Sequence, residues 1–172
     1  VNTVEPIDYS VFDKLLDKEK VAEFRAEALN PGHPKTRGTA QNDDVYFQTR
    51  ELQAQKYTKV YPIVAKYMKA ISKATGRNYV PYQYYGDPKA TRVIVAMGSV
   101  NQCAEEVVDY LTAKGEHVGV LEVHLYRPFV YKKFLEALPK TVKKIAVLDR
   151  TIEQGALYEP LCLDVQAAYN GV

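Results

Sequence analysis

The feature that most constrains the fold is a short apolar run near the middle of the chain. The run Arg92-Val-Ile-Val-Ala-Met97 is rich in β-branched residues and does not alternate with polar ones. Such a run is typical of a strand covered on both faces, as in a parallel sheet. We therefore expect layers of helix on both sides of a sheet in this half of the chain.

The residues after this strand predict an amphipathic helix. Ser99 and Gln102 have the spacing of a capping box, and Gly115 stands where a helix should end. The stripe expected to be buried consists of Cys103, Val107, Val108 and Leu111.

Two more strands and a short helix complete the pattern. We predict strands at His117 to Val123 and Lys144 to Leu148, with a helix near Tyr131 to Leu138 between them. Alternating strands and helices favour an α/β fold, a three-layer α/β/α sandwich with a mostly parallel sheet. Tyr79 to Tyr85 is a candidate edge strand, since Pro81 is tolerated only at an edge.

The first half of the chain has a different texture. Helical patterns are expected from Asp17, from Asp44 to Ala54 and from Thr58 to Thr75, with a loop from Pro31 to Asp44. We therefore divide the chain into a helical and loop connector, residues 1–78, and an α/β domain, residues 79–172.

Composition and charge exclude several classes of protein. Among 172 residues, 23 basic and 21 acidic side chains leave a net charge of +2, and they are interspersed, so no nucleic-acid surface is expected. No apolar run is long enough to span a bilayer. The two cysteines form no CxxC pair, which favours free thiols in a cytoplasmic protein, and no metal site is expected.

Candidate functional residues lie where the predicted strands end, because ligands of open parallel sheets bind there. Gly98 and Ser99 open a helix, and they read either as a capped turn, which we favour, or as an anion site. Arg127 lies between two aromatic residues and is expected at an interface. The alternative is that it binds a carboxylate or phosphate. The segment Asp149-Arg150-Thr151 is expected to form an internal ion pair and a turn.

Seven motifs, in this order, resemble the pyruvate:ferredoxin (flavodoxin) oxidoreductase family. They are Leu29-Asn-Pro-Gly-His-Pro34, Arg37-Gly-Thr-Ala-Gln-Asn42 with Val45-Tyr-Phe-Gln48, Thr75-Gly-Arg77, Tyr84-Tyr-Gly86, Val95-Ala-Met-Gly-Ser99, Leu125-Tyr-Arg-Pro-Phe129 and Leu148-Asp-Arg-Thr151.

The resemblance implies the second domain of such an enzyme, which is similar to a transketolase C-terminal domain, with its preceding connector. It implies a pyruvate-oxidising enzyme that uses thiamine diphosphate, magnesium, iron-sulfur clusters and coenzyme A, works as a homodimer and passes electrons to ferredoxin or flavodoxin. The family's catalytic and cofactor-binding residues belong to other domains. We therefore assign no catalytic, cofactor or metal residue here, and Arg37 joins the loop and interface candidates.

Two other functions remain open at this stage. The chain could be a free-standing α/β module that binds an anion or nucleotide with Gly98, Ser99 and Arg127. It could also be the same domain from an oxidoreductase that acts on another 2-oxoacid, since the residues that would select the substrate lie elsewhere.

Overall fold

A computed structural model describes residues 3–35, 38 and 40–171 of the chain. Within them the chain forms seven helices and four strands. The helices are α1 (Tyr9–Leu15), α2 (Lys18–Ala26), α3 (Asp43–Tyr57), α4 (Val60–Thr75), α5 (Val100–Ala113), α6 (Tyr131–Ala137) and α7 (Pro160–Tyr169). The strands are β1 (Tyr82–Gly86), β2 (Arg92–Ala96), β3 (Val118–Val123) and β4 (Lys144–Val147).

The four strands form one mixed sheet in the order β1-β3-β2-β4. Strand β2 pairs in parallel with both β3 and β4, whereas β1 runs antiparallel to β3 at the edge. The α/β class is therefore confirmed, and so is the edge strand, with Pro81 immediately before it. The sheet is parallel in two of its three pairings because β1 enters from the connector and not by a crossover.

The main core lies on the face of the sheet that packs against α6 and α7. Phe134 on α6 and Leu161 on α7 are fully buried there, together with Val95 and Leu121 of the sheet. Tyr82 of β1 makes edge contacts with Phe129 and Phe134, at ring separations of 5.7 and 5.8 Å. Aromatic packing thus joins the first strand to the helical layer.

The opposite face is only half covered. Helix α5 packs on β3 and β1, so its Val108 is buried. The predicted buried stripe is wrong at Cys103 and Val107, which are exposed. The reason is that the sheet continues past α5 to β2 and β4, and no helix among the described residues covers that part of this face. An apolar groove of about 450 Å³ remains between α5 and these two strands.

The helices before the sheet contain no buried residue in their described part. Helix α4 contacts the sheet through Tyr61, which stacks on Tyr82 at a ring separation of 6.4 Å. Ser72 near its end accepts a hydrogen bond from the backbone N–H of Tyr79 at 2.8 Å. Gly76 ends α4 with a left-handed φ of 71°, directly after the predicted end of the helix at Thr75.

Some local expectations need correction. Ser99 immediately precedes α5, but its side chain makes no capping hydrogen bond, because the residue already has helical backbone angles. Helices α1 and α7 were not predicted; α1 is short and α7 has a weak amphipathic pattern. None of the helices in the described ranges is long and apolar enough to cross a membrane.

Candidate functional site

The candidate site is a polar cavity of about 640 Å³ at the carboxyl ends of β2 and β3. Gly98 and Ser99 contribute to its wall, since they join β2 to the start of α5. Gly98 has a left-handed φ of 79°, which turns the chain from the strand into the helix. The other lining residues are Arg77, Asn78, Tyr79, Gln83, Asn101, Gln102, Glu105, Glu122 and His124.

The floor of this cavity is a pair of polar residues on neighbouring strands. Gln83 of β1 lies directly opposite Glu122 of β3 in the antiparallel register. Glu122 is only 5% exposed, although it is a carboxylic acid within an otherwise apolar strand. Its burial, together with the negative charge of Glu105, raises the pKa of the Glu122 carboxyl.

His124 lies beside Glu122 at this floor, and one contact determines which of its ring nitrogens carries a hydrogen. Its Nδ1 lies 2.8 Å from the carbonyl oxygen of Val80, which can only accept, so Nδ1 carries a hydrogen. The Nε2 atom of the neutral ring is then an acceptor, and it lies 3.4 Å from Oε2 of Glu122. Nε2 of His124 therefore presents a lone pair to the Glu122 carboxyl.

Helix α5 forms the roof. Asn101, in its first turn, is 6% exposed, and Glu105, one turn later, is half-buried. Glu105 lies against the cavity, whereas its neighbour Glu106 is exposed to solvent.

Arg127 lies outside the cavity wall. Its Nη1 donates to Oδ2 of Asp164 on α7 at 2.7 Å, and its guanidinium stacks on the Tyr126 ring at 3.9 Å. Half of the Arg127 side chain remains exposed. Gly98 and Ser99 thus both line the cavity, whereas Arg127 is bound to α7 and lies apart from them.

Asp149 also binds α7 and does not line the cavity. Its two carboxylate oxygens accept the backbone N–H groups of Leu161 and Cys162, each at 3.1 Å. Asp149 therefore caps α7 from a distance in sequence and does not form the expected ion pair with Arg150. Arg150 and Thr151 are exposed beyond it, and Arg37 lies outside the described residues.

Of the residues that line the cavity, only Gly98 and Ser99 are site candidates from the sequence; those it did not identify include Gln83, Asn101, Glu105, Glu122 and His124. One signal was available, because Glu122 is an acidic residue inside the apolar run Val118–Val123. Such a residue indicates either a strand edge or a buried polar site. Asn101 gave no comparable signal, because an amide in the first turn of a helix is ordinary. Within the described ranges, no group of three or more His, Cys, Asp or Glu side chains is placed to hold a metal ion.

Comparison with known proteins finds close relatives over nearly the whole chain. Residues 90–172 match the domain family described as pyruvate:ferredoxin oxidoreductase core domain II. A pyruvate-flavodoxin oxidoreductase of Enterobacter agglomerans is 53% identical over 98% of the chain. A pyruvate:ferredoxin oxidoreductase of Moorella thermoacetica is 50% identical over 96% of the chain.

These relatives are much longer than the chain. The chain spans 14% of the length of each of the two proteins just named. A pyruvate dehydrogenase [NADP(+)] of Cryptosporidium parvum is 45% identical over 96% of the chain, which spans 9% of that protein. Segments similar to this chain therefore occur in enzymes whose names specify flavodoxin, ferredoxin or NADP(+).

Proposed function

We propose that this chain is a non-catalytic structural part of a pyruvate-oxidising enzyme. Its residues 90–172 belong to the core domain II family of pyruvate:ferredoxin oxidoreductases. In the whole enzyme, pyruvate is decarboxylated oxidatively to acetyl-coenzyme A, and electrons pass to ferredoxin or flavodoxin. Thiamine diphosphate, magnesium and iron-sulfur clusters supply that chemistry from other domains. The enzyme is proposed to be a cytoplasmic homodimer.

The observation that carries this proposal is the amount of apolar surface that the chain leaves uncovered. Helices α1 to α4 bury no described residue, and Phe47 and Leu52 on α3 remain 69% and 60% exposed. The apolar groove beside α5 adds to this surface. Exposed apolar area of this extent indicates contact with other protein, and the short coverage of the relatives supports other domains of the same polypeptide.

The cofactors implied by the family do not fit the residues of this chain. Each cubane or binuclear cluster needs about four cysteine ligands, whereas the chain has two cysteines, Cys103 on α5 and Cys162 on α7. Those two helices lie on opposite faces of the sheet. The sequence also has no GDG motif for a metal-bound diphosphate.

The proposal also divides the chain into two parts. We propose that residues 1–78 form the connector and residues 79–172 the α/β domain. Stacking of Tyr61 on Tyr82 and the Ser72 contact with Tyr79 support a connector that reaches the domain near its first strand.

An activity measurement tests the proposal directly. The purified chain, given pyruvate, coenzyme A, thiamine diphosphate, magnesium and an artificial electron acceptor, should reduce no acceptor, and calorimetry should detect no thiamine diphosphate binding. A full-length relative assayed in parallel provides the positive control. Turnover by the chain alone, or tight binding of thiamine diphosphate to it, would show that the proposal is wrong.

A further inference from the structure

Two residues that line the polar cavity carry a buried side-chain oxygen that accepts no hydrogen bond. Oε1 of Gln83 and Oδ1 of Asn101 are buried, and neither has a hydrogen-bond partner. Buried polar atoms are almost always paired, since an unpaired one loses its hydration without compensation. Two such oxygens in the wall of one cavity favour a ligand that brings N–H or O–H donors.

The neighbouring ionisable groups have the same character. Glu122 provides a buried carboxyl oxygen, and the Nε2 lone pair of His124 faces it because Nδ1–H is used by Val80. Glu105, on the roof, adds a second carboxylate close enough to affect the titration of Glu122. The positive side chain of Arg77 is at the wall of the cavity but is exposed.

We propose that this cavity binds a guanidinium group. A guanidinium has five N–H donors in a planar fork and no acceptor, so it can serve several acceptors on different elements at once. Its charge also compensates a buried Glu122 in the ionised form, whereas a phosphate or carboxylate would be repelled by Glu105 and Glu122. The positive end of α5 is outweighed by these two carboxylates, which lie at the cavity itself.

Such a group can come from two sources, an arginine side chain of another polypeptide segment or a free guanidino compound. Both provide the same donors to Gln83, Asn101 and Glu122. Binding of a guanidinium group to this cavity does not depend on the activity of the whole enzyme.

The test is a titration of the full chain with methylguanidinium, followed by ¹H–¹⁵N NMR. We expect a saturable shift of the amide signals of Gly98, Ser99, Asn101 and Glu122. N-methylurea has nearly the same shape without the charge, and inorganic phosphate probes the opposite charge; both should leave these signals unchanged. Capped arginine distinguishes the sources, since tighter binding than methylguanidinium identifies a polypeptide side chain and equal or weaker binding identifies a free compound.

Two variants locate the site. Glu122→Gln should weaken methylguanidinium binding at least about tenfold, because a charge-assisted hydrogen bond becomes a neutral one. This variant should fold, since the new amide can donate to Nε2 of His124 and no charge is buried. Glu106→Gln, on the exposed side of α5, should change the affinity by less than about twofold.

Three results would overturn the proposal. They are the absence of a saturable shift with methylguanidinium, equal binding of N-methylurea or phosphate, and unchanged affinity in a folded Glu122→Gln variant. Signal dispersion in the NMR spectrum of each variant shows whether it is folded, so a loss of binding through unfolding is recognised.

Discussion

The phenol ring of Tyr84 lies directly against the backbone of Gly119. A β-carbon at position 119 would come within 2.1 Å of the Tyr84 hydroxyl oxygen and 2.6 Å of its ring carbon. The hydroxyl itself donates to the carbonyl oxygen of Asp87 at 2.6 Å, so the ring cannot move away freely. The glycine is therefore needed for close packing of a strand β1 side chain over β3.

The Gly119→Ala variant should be less stable than the wild type by about 1–3 kcal/mol, the usual cost of overpacking a filled site. Urea unfolding monitored by circular dichroism measures this difference. The same substitution in a Tyr84→Leu background should cost clearly less, because the ring is gone. In a Tyr84→Phe background the cost should persist, since the ring carbons remain. Equal costs in all three backgrounds would contradict the packing explanation.

The stability of the chain should depend on Tyr84 at alkaline pH. Burial, with a smaller contribution from the charge of Asp87, raises the pKa of Tyr84 from 10.0 to about 12. The folded state then favours the neutral phenol, so this stabilisation is complete below pH 10 and is lost as the pH rises toward 12.

Urea unfolding between pH 10 and pH 12 tests this dependence. The free energy of unfolding of the wild type should fall more steeply over this interval than that of Tyr84→Phe, which has no phenol to ionise at this position. Tyr9→Phe, at an exposed side chain, is the matched control. Parallel pH profiles for wild type and Tyr84→Phe would show that Tyr84 does not contribute.

Two adjacent valines on α5 should respond differently to the same substitution. Both side chains line the groove beside α5, but Val107 is 48% exposed, whereas Val108 packs toward the sheet and is 5% exposed. We expect Val107→Ser to change the free energy of unfolding by less than about 0.5 kcal/mol. Val108→Ser should cost about 2 kcal/mol or more, because it leaves a cavity and buries a hydroxyl. Denaturant unfolding of both variants provides the measurement, and similar losses would mean that the groove is covered in the isolated chain.

Local sequence patterns were enough to predict the class of the fold and the order of its elements from β2 to β4. The apolar run at β2, the amphipathic pattern of α5 and the glycines that end α4 and α5 are local signals, and each depends on residues that are neighbours in the chain. The seven motifs were also enough to predict the resemblance to the oxidoreductase family, because such a resemblance depends only on the order of residues. The connector was less predictable, since its helices bury no described residue and their patterns are correspondingly weak.

Which polar groups come together depends on how the elements pack, and this could not be predicted from the sequence. Gln83, Asn101 and Glu122 belong to three different elements, and they line one cavity because β1 pairs with β3 while α5 crosses both strands. The exposure of Cys103 and Val107 on the half-covered face also depends on packing. A periodic stripe shows which side of a helix is apolar. How much of that side is buried depends on where the helix lies across the sheet. In the same way, the long-range contacts of Arg127 with Asp164 and of Asp149 with the start of α7 depend on the packing of α7, which no spacing in the sequence specifies.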